Sequence, residues 1–361
     1  MALWEDYVRK VVPYVPGEQP KETDLVKLNT NENPYPPSPA AAAALDSLPP
    51  EELRLYPDPM TVRLREAFAS HCGITAEEVF AGTGSDDVLA MCFLTFFNAP
   101  RSGRERLPVL FPDITYSFYD VWADLFGIPF TAVPLDEKFR VRKEDYLVPN
   151  GGIVLANPNA PTGREMDQDD LEEIIAANPD SVVIVDEAYV DFGARTCLPL
   201  IRTYGNLLVV QTFSKSRSLA GMRIGFAAGD PKLIGYLYDV RNSFNSYTLS
   251  RAAIAAGTAA AEDNAYFEKT RRMVMETREK SFARFEALGF KVWPSSSNFL
   301  FVTHPEKRAD EIAAELRREK IFVRYFNKPR IDNYLRVTIG TPQQMDRLFA
   351  ELARILGRTP A

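Results

Sequence analysis

The chain has 361 residues, 46% of them apolar and 25% charged, which excludes a disordered chain and, at one domain per ~150 residues, suggests two domains. Lys plus Arg number 42 against 49 Asp plus Glu, a net charge of −7 and the wrong sign for a broad nucleic-acid-binding field. Two histidines and three scattered cysteines exclude a histidine triad, a zinc cluster and a disulfide framework, leaving lysine, carboxylate, tyrosine or a cofactor to carry any chemistry.

Residues 1–45 hold seven prolines before position 40 and read as an extended arm that lies on a smaller domain or on a second subunit. The acidic start, with Glu5 and Asp6, is not a secretory signal, and no stretch approaches the ~20 apolar residues of a membrane span, so a cytoplasmic protein is expected. Residues 46–245 alternate short apolar runs with amphipathic stretches, the pattern of βα units around a mostly parallel sheet. Strands are expected at Val79–Ala81, Pro108–Phe111, Gly152–Ala156, Val182–Val185, Leu207–Thr212 and Ile224–Ala228, with helices at Asp86–Phe97, Thr115–Phe126 and Gln168–Ala177. Helices at Lys232–Arg241 and at Arg251–Leu288, the second broken near Asn264, lead into a smaller α+β domain within residues 246–361. That domain is expected to carry strands at Lys291–Trp293, Phe299–Thr303, Ile321–Tyr325 and Leu335–Thr338. His71 and His304 fall in amphipathic stretches and are expected at the surface.

Four constellations follow apolar strands and therefore belong at one edge of one sheet. Thr212-Phe213-Ser214-Lys215 places an amine at a strand end, with Arg223 eight residues on; a second cation favours a neutral, nucleophilic amine, and the hydroxyls with the guanidinium make a phosphate cup. A solvated loop lysine is the plainer alternative. Asp186 ends the run Val182–Val185, where a carboxylate can hold a protonated ring nitrogen, bind a metal or cap a helix; Tyr189 adds a hydroxyl to the same wall. Ala81-Gly82-Thr83-Gly84-Ser85-Asp86 is a glycine turn entering a helix, able to hold a phosphate on its N–H groups or to serve as a cap alone. Asn157-Pro158-Asn159-Ala160-Pro161-Thr162-Gly163 is a stiff turn whose asparagines can donate to an anionic oxygen. No metal site is expected.

Together these residues supply what pyridoxal 5′-phosphate needs, and the chain resembles the fold-type I, class I/II pyridoxal-phosphate aminotransferases over nearly its whole length. Leu28-Asn29-Thr30-Asn31-Glu32-Asn33-Pro34, Tyr56-Pro57-Asp58-Pro59, Pro112-Asp113-Ile114-Thr115-Tyr116 and Leu335-Arg336-Val337-Thr338-Ile339-Gly340 resemble segments of the histidinol-phosphate aminotransferases. The resemblance implies that Lys215 bonds the cofactor, Asp186 pairs with its ring nitrogen, Tyr189 donates to its phenolic oxygen and Tyr116 stacks on its ring. It further implies that Gly84, Ser85, Asp86, Thr212, Ser214 and Arg223 line its phosphate, with Tyr56 reaching the phosphate of the neighbouring subunit of a homodimer. Arg324 and Arg336 would grip substrate anions beside Tyr14 and Asn33. The family often has Asn where this chain has Ala160, and Asn159 is expected to substitute. Ser216-Arg217-Ser218 departs from the more apolar residues usual after the lysine. The implied reaction moves an amino group between histidinol phosphate and 2-oxoglutarate or glutamate, in histidine biosynthesis. An aromatic or broad-range aminotransferase, a threonine-phosphate decarboxylase, or a regulator built on a degenerate transferase fold are the alternatives.

Overall fold

In the computed structural model, which describes residues 3–21 and 23–358, two sheets organise the chain. The larger has seven strands: β2 (Val79–Gly82), β3 (Val109–Pro112), β4 (Phe130–Val133), β5 (Gly152–Ala156), β6 (Val183–Asp186), β7 (Leu207–Thr212) and β8 (Gly225–Gly229). Their order is β2-β8-β7-β6-β5-β3-β4, and only β8 runs against the rest. Runs such as Val183-Ile184-Val185 are buried on both faces, as helices on either side of a parallel sheet demand. Each buried aliphatic side chain contributes about 1.5–3 kcal/mol relative to an exposed one.

Register decides what meets at the strand ends. Gly82 and Thr212 both pair with Gly225, while Asp186 pairs with Ala156. The end of β2, the end of β7 and the start of β8 are thus abreast, and Arg223 enters from the antiparallel strand. The approach is close: a Cβ on Gly225 would lie 2.4 Å from the carbonyl carbon of Gly84, so only glycine fits there.

The smaller sheet has the order β1-β11-β12-β10-β9, from β1 (Val26–Leu28), β9 (Lys291–Val292), β10 (Phe299–Thr303), β11 (Ile321–Tyr325) and β12 (Leu335–Thr338). The arm supplies β1, parallel to β11. Helices Ala309–Arg318 and Pro342–Ile355 cover the core that contains Leu28, Leu300, Ile312 and Phe349. Between the two sheets the long helical stretch breaks at Asp263, which ends Arg251–Glu262 and caps Asn264–Ala287 by accepting from the Tyr266 N–H. The edge strand β4 and the arm strand β1 escape sequence reading because both are short, and β4 is exposed at its centre. The expected helix at Thr115 begins only at Tyr119. His304 corrects its surface expectation: it is buried, accepts from the Glu306 and Lys307 N–H groups through Nδ1, and packs edge-on against Phe290. Among the described residues no helix is long and apolar enough to cross a membrane.

Candidate active site

A cavity opens where the ends of β5, β6 and β7 face the first turn of the helix Gly84–Phe96. Lys215, Asp186, Tyr189, Tyr116, Ser85, Asp86, Thr212, Ser214 and Arg223 all line it, nine of the sequence-derived candidates in one place.

At one end is the cup. Thr83 places no side-chain cap on the helix Gly84–Phe96, so the N–H groups of its first turn remain for an anion, on the positive end of the helix dipole. Gly84 has a φ of 85°, and a Cβ there would lie 2.5 Å from the Arg223 guanidinium. Arg223 itself is held by Asp86 at 3.2 Å. Asp86 also accepts from the Tyr116 hydroxyl at 2.7 Å, so its carboxylate serves the cup by aiming Arg223 and Tyr116, and only its backbone can offer a donor. Thr212 Oγ1 donates to Ser214 Oγ or to the Ile224 carbonyl and accepts from the Ser214 N–H, fixing the turn.

At the other end Asp186 is buried. Its carboxylate accepts from the Tyr119 hydroxyl at 2.7 Å and from the Ala188 N–H at 3.1 Å, and among the described residues no cation pairs with it. Burial pushes its pKa up to about 6, against those two hydrogen bonds. A cationic ring N–H placed here would compensate the carboxylate, whereas a metal has no partner ligands: no cluster of three candidate ligands occurs among the described residues. Its neighbour Glu187 points to the opposite face of β6, where it accepts from Thr196, Gln211 and the Cys197 N–H, and burial raises it to about 7.

Lys215 Nζ donates to the Thr30 carbonyl at 3.1 Å and lies 5.8 Å from the centre of the Tyr189 ring. Glu32 of the arm lines the cavity beside it; burial raises the Glu32 pKa, but hydrogen bonds from Lys27 and Thr30 outweigh this and hold it below the usual range. A donor set of cup, amine and uncompensated carboxylate fits a phosphorylated aldehyde whose ring nitrogen carries a proton.

A second hollow continues from the first across Lys215 and Tyr189 and is lined by Tyr14, Arg324 and Arg336. Arg324 and Arg336 are cross-strand partners on β11 and β12. Arg336 donates to the Asn29 carbonyl at 3.0 Å, while its Nε is buried with no hydrogen-bond partner among the described residues. Burial lowers the Arg336 pKa and nearby Arg324 lowers it further, so an anion bound here would relieve both. Tyr14 stacks on Phe118 at 4.1 Å.

Three expected residues are elsewhere. Asn33 donates to the carbonyls of Lys215 and Ser216, bracing the lysine loop from behind instead of facing a substrate. Asn159 turns away from the cavity: its amide donates to the Ile114 carbonyl and Thr162 and accepts from Thr115, while Ala160 takes the cavity wall. Tyr56 is 78% exposed, stacked on Tyr247 and absent from the cavity of its own chain. Sequence reading missed Tyr119, Asn31, Thr338 and Glu32. Asn31, Thr338 and Glu32 lie inside quoted motifs but carry no chemical signal of their own; Tyr119 has none at all. The unusual Ser216-Arg217 pair has a physical account: Ser216 donates to Asp191, and buried Arg217 lies over the rings of Phe213 and Phe267.

Residues 23–352 match the profile of the family described as aminotransferase class I and II. Histidinol-phosphate aminotransferase 1 of Pseudomonas aeruginosa is 53% identical over 350 residues, covering 97% of this chain and 98% of that protein. Histidinol-phosphate aminotransferase of Aromatoleum aromaticum is 53% identical over 357 residues, 98% of this chain and 99% of its own. The crystal structure of histidinol-phosphate aminotransferase from Sinorhizobium meliloti in complex with pyridoxal-5′-phosphate superposes with a TM-score of 0.82 at 24% identity, covering 92% of this chain and 91% of that one, which shows the fold.

Proposed function

Because the chain belongs to the class I and II aminotransferases and, within them, to the histidinol-phosphate aminotransferases, we propose that it moves an amino group between histidinol phosphate and 2-oxoglutarate with pyridoxal 5′-phosphate as carrier. The observation that carries this reading is Asp186, buried, without a cation partner among the described residues, in the same cavity as Lys215 and the anion cup. The cofactor, when bound, supplies an aldehyde that takes up the amino group and a ring that withdraws electrons from the adjoining carbon. Gly84, Ser85, Thr212, Ser214 and Arg223 hold its phosphate through N–H, hydroxyl and guanidinium donors. Asp186 would hold a proton at the ring nitrogen, and Tyr116, which lines the same cavity, would flank the ring. Lys215 would hold the aldehyde carbon through its amine and, displaced by the donor amine, would serve as the base that takes the donor's Cα proton and returns it. Arg324 and Arg336 bind the phosphate of one substrate and the carboxylate of the other in turn, which planar guanidinium forks suit.

The same reading makes the enzyme a homodimer. Tyr56, Leu53, Leu55, Phe244 and Tyr247 leave apolar surface exposed, and a second copy related by a twofold axis covers it, with each Tyr56 reaching the other subunit's cup. A cytoplasmic location accords with the unpaired thiols of Cys72, Cys92 and Cys197. Steady-state assays with 2-oxoglutarate test the substrate. Histidinol phosphate is expected to give a kcat/KM at least tenfold above phenylalanine and O-phosphothreonine; preference for phenylalanine, or carbon dioxide release from O-phosphothreonine, would replace the reading by the aromatic transferase or the decarboxylase.

A further inference from the structure

Tyr189 faces the cavity with a hydroxyl that already accepts a hydrogen bond. Asn31 Nδ2 donates to it at 2.9 Å. The orientation of that amide is set by Thr338 at the end of β12: the Asn31 N–H donates to Thr338 Oγ1 at 3.0 Å, and the Thr338 hydroxyl donates back to Asn31 Oδ1 at 2.9 Å. Asn31 is buried and has a φ of 57°, a left-handed conformation that asparagine tolerates better than most residues. The ionisable groups around the Tyr189 ring and hydroxyl are Lys215, Arg336, Tyr116 and Tyr119, and among the described residues none accepts its proton. A hydroxyl has one proton; with a donor seated on its oxygen, that proton must point elsewhere, and the open direction is the cavity. The turn at Asn159-Ala160 brings no side-chain donor to the same place, since Ala160 carries none and the Asn159 amide is spent on Ile114 and Thr162.

We infer that Asn31 and Thr338 are positioning residues that aim the Tyr189 hydroxyl proton at the bound cofactor's phenolic oxygen. Thr338 lies two residues from Arg336 on one strand, so both side chains project from the same face of β12. The strand that grips substrate thereby also sets the donor on the cofactor.

The inference rests on the reading that pyridoxal phosphate binds in this cavity. A donor to an anionic oxygen favours its deprotonated form, so losing the donor raises the pH at which the bound cofactor's visible band titrates. Holoenzyme reconstituted with pyridoxal phosphate is titrated spectroscopically for wild type, Asn31→Asp, Tyr189→Phe and the double variant. Asn31→Asp is isosteric, keeps the acceptor for Thr338 and turns the Tyr189 proton away from the cavity. Its midpoint is expected to rise by about one pH unit in the wild-type background and by clearly less in the Tyr189→Phe background. The added negative charge acts in both backgrounds, so an equal rise in the two, or none in either, overturns the inference. Should Asn31→Asp not fold, Thr338→Val carries the same cycle: a rise that disappears with Tyr189→Phe supports the lock, and an unchanged midpoint overturns it. Wild-type protein with no visible band would instead remove the reading that pyridoxal phosphate binds here, and the inference with it.

Discussion

The two walls of the active site are built in different ways. The wall from the seven-stranded sheet consists of residues at strand ends, and parallel topology alone brings Gly84, Asp186, Thr212 and Lys215 to one edge. The facing wall comes from the arm and the five-stranded sheet, and its groups meet across long separations: Asn31 and Thr338 are 307 positions apart, and Arg336 donates to Asn29 across the same distance. The first wall is tied to a core buried on both faces, whereas the arm before residue 16 leaves Tyr7, Val12 and Val15 exposed. On the reading proposed above, the sheet-end wall holds the cofactor, while the assembled wall binds substrate and, through Asn31 and Thr338, sets one donor on the cofactor.

The largest test of that division is Lys215→Ala. It should abolish transamination and the visible band of the reconstituted protein while leaving the thermal midpoint near that of the wild-type apoprotein; wild-type turnover without added amine would break the assignment. Asp186→Asn comes next, with turnover expected to fall at least a hundredfold, about 3 kcal/mol of barrier. The same change should act oppositely on the apoprotein. The folded pKa of Asp186, about 6, is raised by burial above the ordinary 3.8, so the folded state binds the extra proton between those values and the stability that Asp186 allows falls as pH rises through that window. Apo Asp186→Asn should therefore be more stable than apo wild type at pH 7, with the gap closing by about pH 4, and calorimetry across that range would show it. A gap that widens on acidification would mean that the carboxylate is compensated within the protein.

On the assembled wall, Arg336→Lys keeps the charge but loses the fork. KM for the anionic substrates should rise about tenfold to a hundredfold while the spectrum of the bound cofactor stays unchanged; a spectral change with unaltered KM would merge the two walls into one. The smallest effect is expected from Tyr56→Phe, a several-fold weaker hold on cofactor, measured by equilibrium dialysis. Mixing it with Lys215→Ala protein should create heterodimers with one intact site of wild-type affinity, and no such population despite verified subunit exchange would exclude a shared cup.

The division also explains what the chain discloses before folding. Lys215, Asp186 and the Gly84 turn are legible because each follows an apolar run, and runs of that kind become parallel strands with a common end. Tyr119 is not, since its value lies in reaching Asp186 from 67 positions away while its ring is buried among Phe93, Phe111 and Trp122. Asn31 and Asn33 stand two residues apart in one motif, yet one supports Tyr189 and the other braces the lysine loop; only the fold of the arm separates them. Arg217 stands in the sequence only as a departure from the usual apolar residues, and its place becomes clear where the helices carrying Ala260 and Phe267 close around it.

The hydrogen bond from Lys215 to the Thr30 carbonyl bears on how the amine is presented to the cavity that both residues line. A carbonyl takes a hydrogen of the amine and leaves the nitrogen's lone pair unoccupied, so the contact fixes where the amine rests without using the electrons that would attack an aldehyde. A stretch of arm 185 positions away in the chain thereby acts as a rest for the side chain of the opposite wall.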